Sequence, residues 1–200
     1  MLRPGALGAA CQNRIVAEQR SLRGRLLVAA PPLIDPNFDR TVVLMIEDGE
    51  DGGLGVVLNR RSETSVADVF PEWRPLVAPP DVVFAGGPVA TDAVIALARR
   101  RHADLAGFVP IHGDLGTVDL ADDPFGLGVS LFSLRVFAGY AGWAPGQLEA
   151  ELDEGAWFVV DSRPEDPFAT APERLWRDVL RRQRGRIALF ANYPEDAADN

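Results

Sequence analysis

The apolar positions of the chain fall in short runs between polar turns, and the clearest runs lie in the first third. "GRLLVAA" (24–30), "TVVLMIE" (41–47) and "LGVVLN" (54–59) are rich in β-branched and aliphatic residues and predict strands. The last two flank "DGEDGG" (48–53), whose Gly and Asp residues suit the positive φ of a turn. The pattern therefore predicts a β-hairpin, with strands covered on both faces because the apolar runs are nearly continuous.

Similar apolar runs predict strands in the rest of the chain. Two short strands are predicted around a turn at Gly113 and Asp114, over 107–113 and 116–121. Further strands are predicted for "DVVFA" (81–85), "LRVFAGY" (134–140) and "AWFVVDS" (156–162). Glycine and proline interrupt the segment 122–132, so its pattern predicts no definite element.

Apolar residues at helical spacing predict four helices, over residues 65–73, 91–101, 145–155 and 172–184. Ser65 and Thr91 are the expected N-caps of the first two, and Pro71 should stop the first. The second, "TDAVIALARRR", reads as an amphipathic helix that follows the strand at 81–85. Gly185 is the expected C-cap of the last helix.

Strands and helices alternate without a regular βαβ repeat, and at least one pair of strands is a hairpin. This order predicts an α+β fold: a single compact domain with a mixed, largely antiparallel β-sheet flanked by several helices. The prediction does not decide whether this sheet closes into a barrel-like shape. Residues 1–23 are predicted to be a flexible N-terminal tail, 24–193 the domain, and 194–200 a polar C-terminal tail.

Composition narrows the classes of function. The 200 residues carry a net charge of −9, and all 20 basic residues are arginine. This acidic balance disfavours direct nucleic-acid binding, which depends on neutralising phosphates. The single Cys11 fits a reducing cytoplasm, and no apolar run is long enough to span a membrane. Two histidines ten residues apart, with one cysteine, give no metal-binding spacing, and no cofactor motif is present.

Four stretches in a fixed order resemble the YqgE/AlgH family of bacterial proteins. They are "GRLLVAAPPLIDPNFDRTVVLMIED" (24–48), "GLGVVLNR" (53–60), "GGPV" (86–89) and "GYAGWAPGQLEAEL" (139–152), and the resemblance covers about 24–193. It implies a compact α+β cytosolic protein without an established activity; some members carry the label of transcriptional regulator. The chain departs from the resemblance at Arg61, where family members commonly have proline.

The "GYAGW" motif (139–143) is the first candidate site, and it is expected to form a turn between a strand and a helix. In a functional interpretation its glycines let a ligand or partner approach Tyr140 and Trp143, with Gln147 and Glu149 supplying polar contacts. In a structural interpretation Trp143 simply anchors the turn and needs small neighbours. The structural interpretation is favoured.

A second group of candidate residues lies near predicted strand ends. Gly86 and Gly87 of "GGPV" form a turn whose N–H groups suit an anion, but the signature of a phosphate loop is missing, so a purely structural tight turn is favoured. Asp35 or Asp39 of "DPNFDR" could form a charged pair with Arg40 beside a cleft; alternatively, Arg40 pairs with a nearby carboxylate at the margin of the sheet. Asn59, at the end of the second hairpin strand, is expected to face the same end of the sheet as Arg40.

These observations support a non-enzymatic binding or regulatory protein with an unknown small-molecule or protein partner. Its expected surface lies near Arg40, Asn59, Gly86, Gly87 and Trp143. One alternative is a hydrolase or transferase that uses carboxylates near the strand ends, namely Asp35, Asp39 or Glu149. Another is a transcriptional regulator that binds DNA directly, which should show a steep dependence on salt. No catalytic residue is predicted.

Overall fold

The structure is a computed structural model that describes residues 21–31, 33, 35–102, 105–128 and 130–194. Its strands are β1 (Arg25–Ala29), β2 (Val42–Gly49), β3 (Gly52–Val57), β4 (Arg61–Ser65), β5 (Val82–Ala85), β6 (Val89–Arg100), β7 (Val109–His112), β8 (Leu115–Val118), β9 (Leu131–Trp143) and β10 (Trp157–Asp161). Its α-helices are α1 (Val66–Val69), α2 (Pro124–Gly128), α3 (Gln147–Asp153), α4 (Leu175–Arg181) and α5 (Arg186–Leu189). Turns of 3-10 helix occupy Pro71–Leu76, Asp166–Phe168, Pro172–Arg174 and Phe190–Asn192. Most of both predicted tails, 1–20 and 195–200, lies outside the described residues.

The strands form one largely antiparallel sheet that curls into a half-barrel, which confirms the predicted α+β single domain. Along the sheet the order is β10-β1-β2-β3-β9-β6-β8-β7, while β4 pairs with β5 and β5 runs parallel to β9. Strand β9 therefore lies at the centre, because β3, β5 and β6 all pair with it. Residues around the junction of β3, β5, β6 and β9 are therefore held by the most extensively paired part of the sheet.

The hairpin follows its prediction, and so does the start of the first helix, although α1 ends at Val69 and a separate 3-10 turn begins at Pro71. Strands β2 and β3 pair from Val43 with Val57 to Gly49 with Gly52, so the turn falls within the predicted Gly- and Asp-rich segment. The hydroxyl of Ser65 accepts a hydrogen bond from the backbone N–H of Ala67 at 3.2 Å, which confirms Ser65 as the cap of α1. Local sequence signals were sufficient in both places.

The predicted helix at 91–101 is wrong, because this segment belongs to the twelve-residue strand β6. Its second half is inserted between two strands: Ala96 pairs with Val136 of β9 on one side and with Val118 of β8 on the other. Ala96, Leu97 and Ala98 are consecutive and all buried, as expected for a central strand covered on both faces. Tertiary pairing thus overrides the helical propensity of alanine, leucine and arginine.

The "GYAGW" motif is also corrected, since it does not form the turn that was predicted. Residues 139–143 lie inside β9, and Ala141, Gly142 and Trp143 pair with Gly55, Leu54 and Gly53 of β3. The turn to α3 comes only afterwards, at 144–146. The motif keeps its backbone hydrogen bonds within the sheet, so its glycines serve a strand and not a loop.

The predicted helix at 172–184 is shorter than expected. It starts as the 3-10 turn Pro172–Arg174 and continues as α4, which ends at Arg181. Its apolar stripe is buried as predicted, at Leu175, Trp176, Val179 and Leu180. The indole N–H of Trp176 donates to the carbonyl of Ala29 at 2.8 Å and ties α4 to β1. The segment at 122–132 contains α2 and the start of β9.

Candidate functional site

The Gly86-Gly87 turn joins β5 to β6 and lies directly against β9. The N–H of Gly86 donates to the carbonyl of Ala138 at 2.7 Å, and the Gly86 carbonyl accepts from the N–H of Val57 at 2.8 Å. A Cβ on Gly86 would collide with the carbonyl of Gly139, and a Cβ on Gly87 with the backbone of Tyr140. Close backbone approach is therefore sufficient to explain both glycines.

A cavity of about 400 Å³ opens beside this turn and is lined by two neighbouring arginines. Neither Arg60 nor Arg61 forms an ion pair within the described part of the chain, whereas Arg99 and Arg182 are each paired with an aspartate. An Nη atom of Arg60 donates to the carbonyl of Asp39 at 2.7 Å. We call this cavity the arginine half; its described lining is Pro36, Asn37, Val57, Arg60, Arg61, Ala85, Gly87, Pro88 and Thr91.

A second cavity, of about 390 Å³, is mainly apolar, and we call it the apolar half. Two large aliphatic side chains on its walls are solvent-exposed, Val69 of α1 at 47% and Val94 of β6 at 45%. Its described lining is Ser62, Thr64, Val69, Phe70, Val83, Phe84, Ala85, Gly87, Thr91, Val94 and Ala138. Exposed valines at the mouth of a concave surface suit a ligand better than they suit water.

The two cavities adjoin, because Ala85, Gly87 and Thr91 line both of them. We call the combined space the cleft. None of its described lining residues is an aspartate, glutamate, histidine or cysteine. The described walls thus offer guanidinium groups, hydroxyl groups and apolar surface, and they contain none of the side chains that most often act as general bases.

Arg135 of β9 lies behind the apolar half, beneath the ring of Phe84. Its side chain is fully buried, and the guanidinium carbon is 4.4 Å from the centre of the Phe84 ring. Instead of a carboxylate, the guanidinium meets the carbonyl oxygens of Ala78 (3.5 Å), Pro79 (2.6 Å), Pro167 (3.2 Å) and Ala169 (2.9 Å).

Burial lowers the pKa of Arg135 to about 10. A pKa in this range still leaves the group charged at neutral pH. The Nε atom of Arg135 has no hydrogen-bond partner among the described residues, and no ion pair compensates the charge there. The apolar half therefore has a positive charge behind its floor.

Arg40 and Asn59 lie at the same end of the hairpin, as predicted, but their contacts are structural. The amide of Asn59 donates to the Arg40 carbonyl at 2.9 Å and accepts from the N–H of Val42 at 3.0 Å, so it fastens the strand ends together. The Arg40 guanidinium lies 5.1 Å from the ring centre of Trp176 and donates to the carbonyls of Tyr193 and Pro194. Neither residue is among the described lining of the cleft.

The two aspartates of "DPNFDR" are also outside that lining. A carboxylate oxygen of Asp35 accepts from the N–H of Asn37 at 2.8 Å, which closes a local turn. Asp39 is exposed and contributes its carbonyl to Arg60. Arg40 has no carboxylate partner in the described structure, so the suggested charged pair with Asp35 is not formed.

Trp143 and Gln147 meet at Glu151, a residue that was not among the predicted site residues. One carboxylate oxygen of Glu151 accepts from the indole N–H of Trp143 at 2.9 Å and of Trp157 at 2.8 Å, and the other accepts from the Gln147 amide at 2.9 Å. Phe38 packs against both indoles, with ring centres 6.4 and 5.5 Å apart. We call these five side chains the Glu151 cluster.

Glu149 and Tyr140 take no part in the Glu151 cluster. Glu149 is exposed and makes no hydrogen bond or ion pair with the described residues. Tyr140 is partly buried and packs against the hydrophobic core cluster that contains Phe84, Leu97 and Phe137. The Glu151 cluster therefore supports the structural interpretation of the "GYAGW" tryptophan.

Replacing Glu151 with alanine is expected to lower the free energy of unfolding by about 2 kcal/mol, because three N–H donors lose a charged acceptor. Urea unfolding followed by tryptophan fluorescence measures this loss. Glu149→Ala is the matched control on the same helix and should cost no more than about 1 kcal/mol, its interaction with the helix dipole. Equal losses in the two variants would contradict a structural role of the cluster.

The loop from Asp35 to Arg40 connects the candidate regions. Pro36 and Asn37 line the arginine half, whereas Phe38 belongs to the Glu151 cluster. Of the predicted site residues, only Gly87 is in the described lining of the cleft. The arginine half had a visible signal, the Arg60-Arg61 pair after a strand. The apolar half did not, since Val94 was assigned to a helix.

The described part of the chain contains neither a cluster of metal ligands nor a membrane-spanning helix. Within the described residues, no group of three or more His, Cys, Asp or Glu side chains is arranged to hold a metal ion. The helices of the described chain are all too short or too polar to cross a membrane.

Fold and cleft together define a single-domain α+β protein whose half-barrel sheet carries a two-part cleft at the β5-β6 turn. The chain belongs to the AlgH-like family, whose model (DUF179) matches residues 26–188. It is 51% identical over 191 residues to a UPF0301 protein of Streptomyces coelicolor, and the alignment covers 92% of this chain and 98% of that protein. A UPF0301 protein of Thermobifida fusca is 47% identical over 193 residues, with the same coverage.

Two solved structures share the fold. A crystal structure of protein DIP2367 from Corynebacterium diphtheriae is 36% identical with a TM-score of 0.80, covering 86% of this chain and 92% of that one. The solution structure of AlgH from Pseudomonas aeruginosa is 30% identical with a TM-score of 0.65, covering 89% of this chain and 97% of that one. These likenesses confirm the resemblance to the YqgE/AlgH family and indicate no specific activity.

Proposed function

We propose that this protein is a non-enzymatic binding module that holds a small organic ligand in the cleft. The observation that carries the proposal is the junction of two cavities, of about 400 and 390 Å³, at Ala85, Gly87 and Thr91. Ligand sites in proteins are typically concave, about 300 to 1,000 Å³ in volume, and mainly apolar with a few polar groups. The cleft has these properties.

The placement of the charged residues supports binding over catalysis. The carboxylates considered for a hydrolase or transferase, Asp35, Asp39 and Glu149, are absent from the described lining of the cleft. Strands β4, β5, β6 and β9 contribute part of its walls, and these strands are paired in the sheet, which suits a preformed site. In this proposal a regulatory effect in the cytoplasm, including any effect on transcription, follows from ligand occupancy. The net charge of −9 disfavours direct binding to DNA as the way in which such an effect would arise.

A fragment screen by two-dimensional NMR tests the proposal. A library of neutral, anionic and cationic fragments should give saturable shifts of the backbone amides of Thr91, Val94 and Ala138. Val94→Asp should weaken the best hit roughly tenfold or more, because it replaces an apolar wall with a charge. Val109→Asp is the control, since Val109 is also an exposed strand valine, at 58%, and lies outside the described lining.

The fragment screen also has a clear negative outcome. If no fragment shifts the amides of the cleft, or if hits map only to other surfaces, the cleft is not the binding site and the proposed function fails.

A further inference from the structure

We infer that the ligand of the cleft is an amphipathic organic anion: a carboxylate, sulfonate or phosphate head group joined to a short alkyl or aryl body. This inference rests on the proposed function and assigns the class of its ligand. Arg60 and Arg61 would hold the head group in the arginine half, while Val69, Val94 and Ala138 would contact the body in the apolar half.

The head group is assigned from the two arginines. The chain has an excess of nine negative charges, yet Arg60 and Arg61 have no ion pair within the described residues. Arg60 is already oriented by its hydrogen bond of 2.7 Å to the Asp39 carbonyl, and the remaining N–H groups of both guanidiniums stay available. Planar guanidinium groups bind carboxylate and phosphate oxygens with charge-assisted hydrogen bonds.

Arg135 adds to the same preference from behind the sheet. Its buried guanidinium meets carbonyl oxygens only and lies 4.4 Å from the ring centre of Phe84, which lines the apolar half. Low-dielectric protein between the charge and the cleft screens this charge less than water would. An anion in the cleft is therefore attracted from two directions, whereas a cation is disfavoured.

The body of the ligand is assigned from the apolar half. Val69 and Val94, on different elements, are 47% and 45% exposed and line this half, and Phe70 and Val83 complete an apolar wall. Ala85, Gly87 and Thr91 line both halves, so the head group and the body of one ligand would lie in adjoining cavities. A purely inorganic anion would leave this surface in contact with water.

Isothermal titration calorimetry with three probes tests the inference. Octyl phosphate carries both features, octanol only the alkyl chain, and inorganic phosphate only the charge. We expect octyl phosphate to bind at least about tenfold more tightly than either single-feature probe. Arg60→Gln/Arg61→Gln should remove that advantage over octanol while leaving octanol binding unchanged, and Val94→Asp should weaken octyl phosphate and octanol together.

Matched controls separate binding from folding. Arg184→Gln changes an exposed arginine without hydrogen bonds or ion pairs in the described structure, so octyl phosphate affinity should stay at the wild-type value. If the double variant fails to fold, Arg61→Gln alone serves, because the Arg61 side chain has no hydrogen bond to lose within the described residues. Circular dichroism melts check each variant before titration.

The anion could be the head group of a membrane lipid or a free amphiphile in solution. Flotation of the protein with vesicles of phosphatidic acid distinguishes these two sources. Flotation that is lost in Arg60→Gln/Arg61→Gln identifies the head group of a membrane lipid. Binding of octyl phosphate without flotation identifies a free amphiphile.

The ligand class is overturned if octanol binds as tightly as octyl phosphate, or if the arginine substitutions leave their ratio unchanged. Hits in the fragment screen would then still support a binding module. If neither the probes nor the fragments perturb the cleft, the proposed function fails together with the ligand class.

Discussion

Arg135→Met is expected to lower the free energy of unfolding by about 3 to 5 kcal/mol, which makes it among the most damaging single substitutions in this protein. The methionine would leave four carbonyl oxygens, those of Ala78, Pro79, Pro167 and Ala169, without their donor. These carbonyls belong to two loops that Arg135 ties to the central strand β9. A buried carbonyl that loses its only donor costs about 1 to 3 kcal/mol, and partial access of water reduces the sum.

Urea unfolding monitored by circular dichroism measures the effect of Arg135→Met. Arg184→Met is the control, because Arg184 is exposed and has no described partner, so its substitution should stay within about 0.5 kcal/mol of wild type. Arg135→Lys should recover only part of the loss, since one ammonium group cannot reach carbonyls spread around a planar guanidinium. A loss below about 1 kcal/mol in Arg135→Met would show that the loops are held by other contacts.

Gly87→Ala is expected to lower the free energy of unfolding by about 3 kcal/mol or more, through two separate effects. Gly87 has a φ of 153°, which an L side chain rarely adopts, and its Cβ would overlap the backbone of Tyr140 and Ala141. The atoms in the way belong to the backbone of β9, which is paired on both edges and cannot shift without breaking hydrogen bonds.

Gly113→Ala separates the two effects at Gly87. Gly113 also has a positive φ, of 59°, but no atom lies within 4 Å of its added Cβ. Only the backbone conformation is then penalised, so the expected loss is about 1 kcal/mol. Thermal and urea unfolding of both variants test the difference. If the two alanine variants lose the same stability, the contact between the glycine turn and β9 is not what requires Gly87.

Local sequence signals predicted much of the fold, since the determining contacts are close along the chain. The β2-β3 hairpin depends on apolar runs around a Gly- and Asp-rich turn, and α1 on the hydroxyl of Ser65. The apolar stripe of α4 is also visible as helical spacing. The four motifs that resembled the YqgE/AlgH family identified the family correctly.

The sequence misled where long-range pairing decides the structure. Residues 91–101 have a helical pattern, yet Ala96 lies between Val136 and Val118, which come from strands much later in the chain. The "GYAGW" motif looks like a turn, yet β3 continues the sheet alongside it. In both places the partner strand supplies hydrogen bonds that no local window of sequence contains.

The sequence by itself determined the fold class, the family, the hairpin, and the chemical character of the candidate site residues. Only the tertiary structure decided which of those residues meet. It separated Arg40, Asn59 and Trp143 from the cleft and gave the tryptophan a hydrogen bond to Glu151. It also placed Arg60 and Arg61 in a cavity that adjoins the one lined by Val94, a residue of a strand predicted as a helix. The physical reason is that a cleft is made by residues far apart in sequence, whose proximity depends on strand order and register.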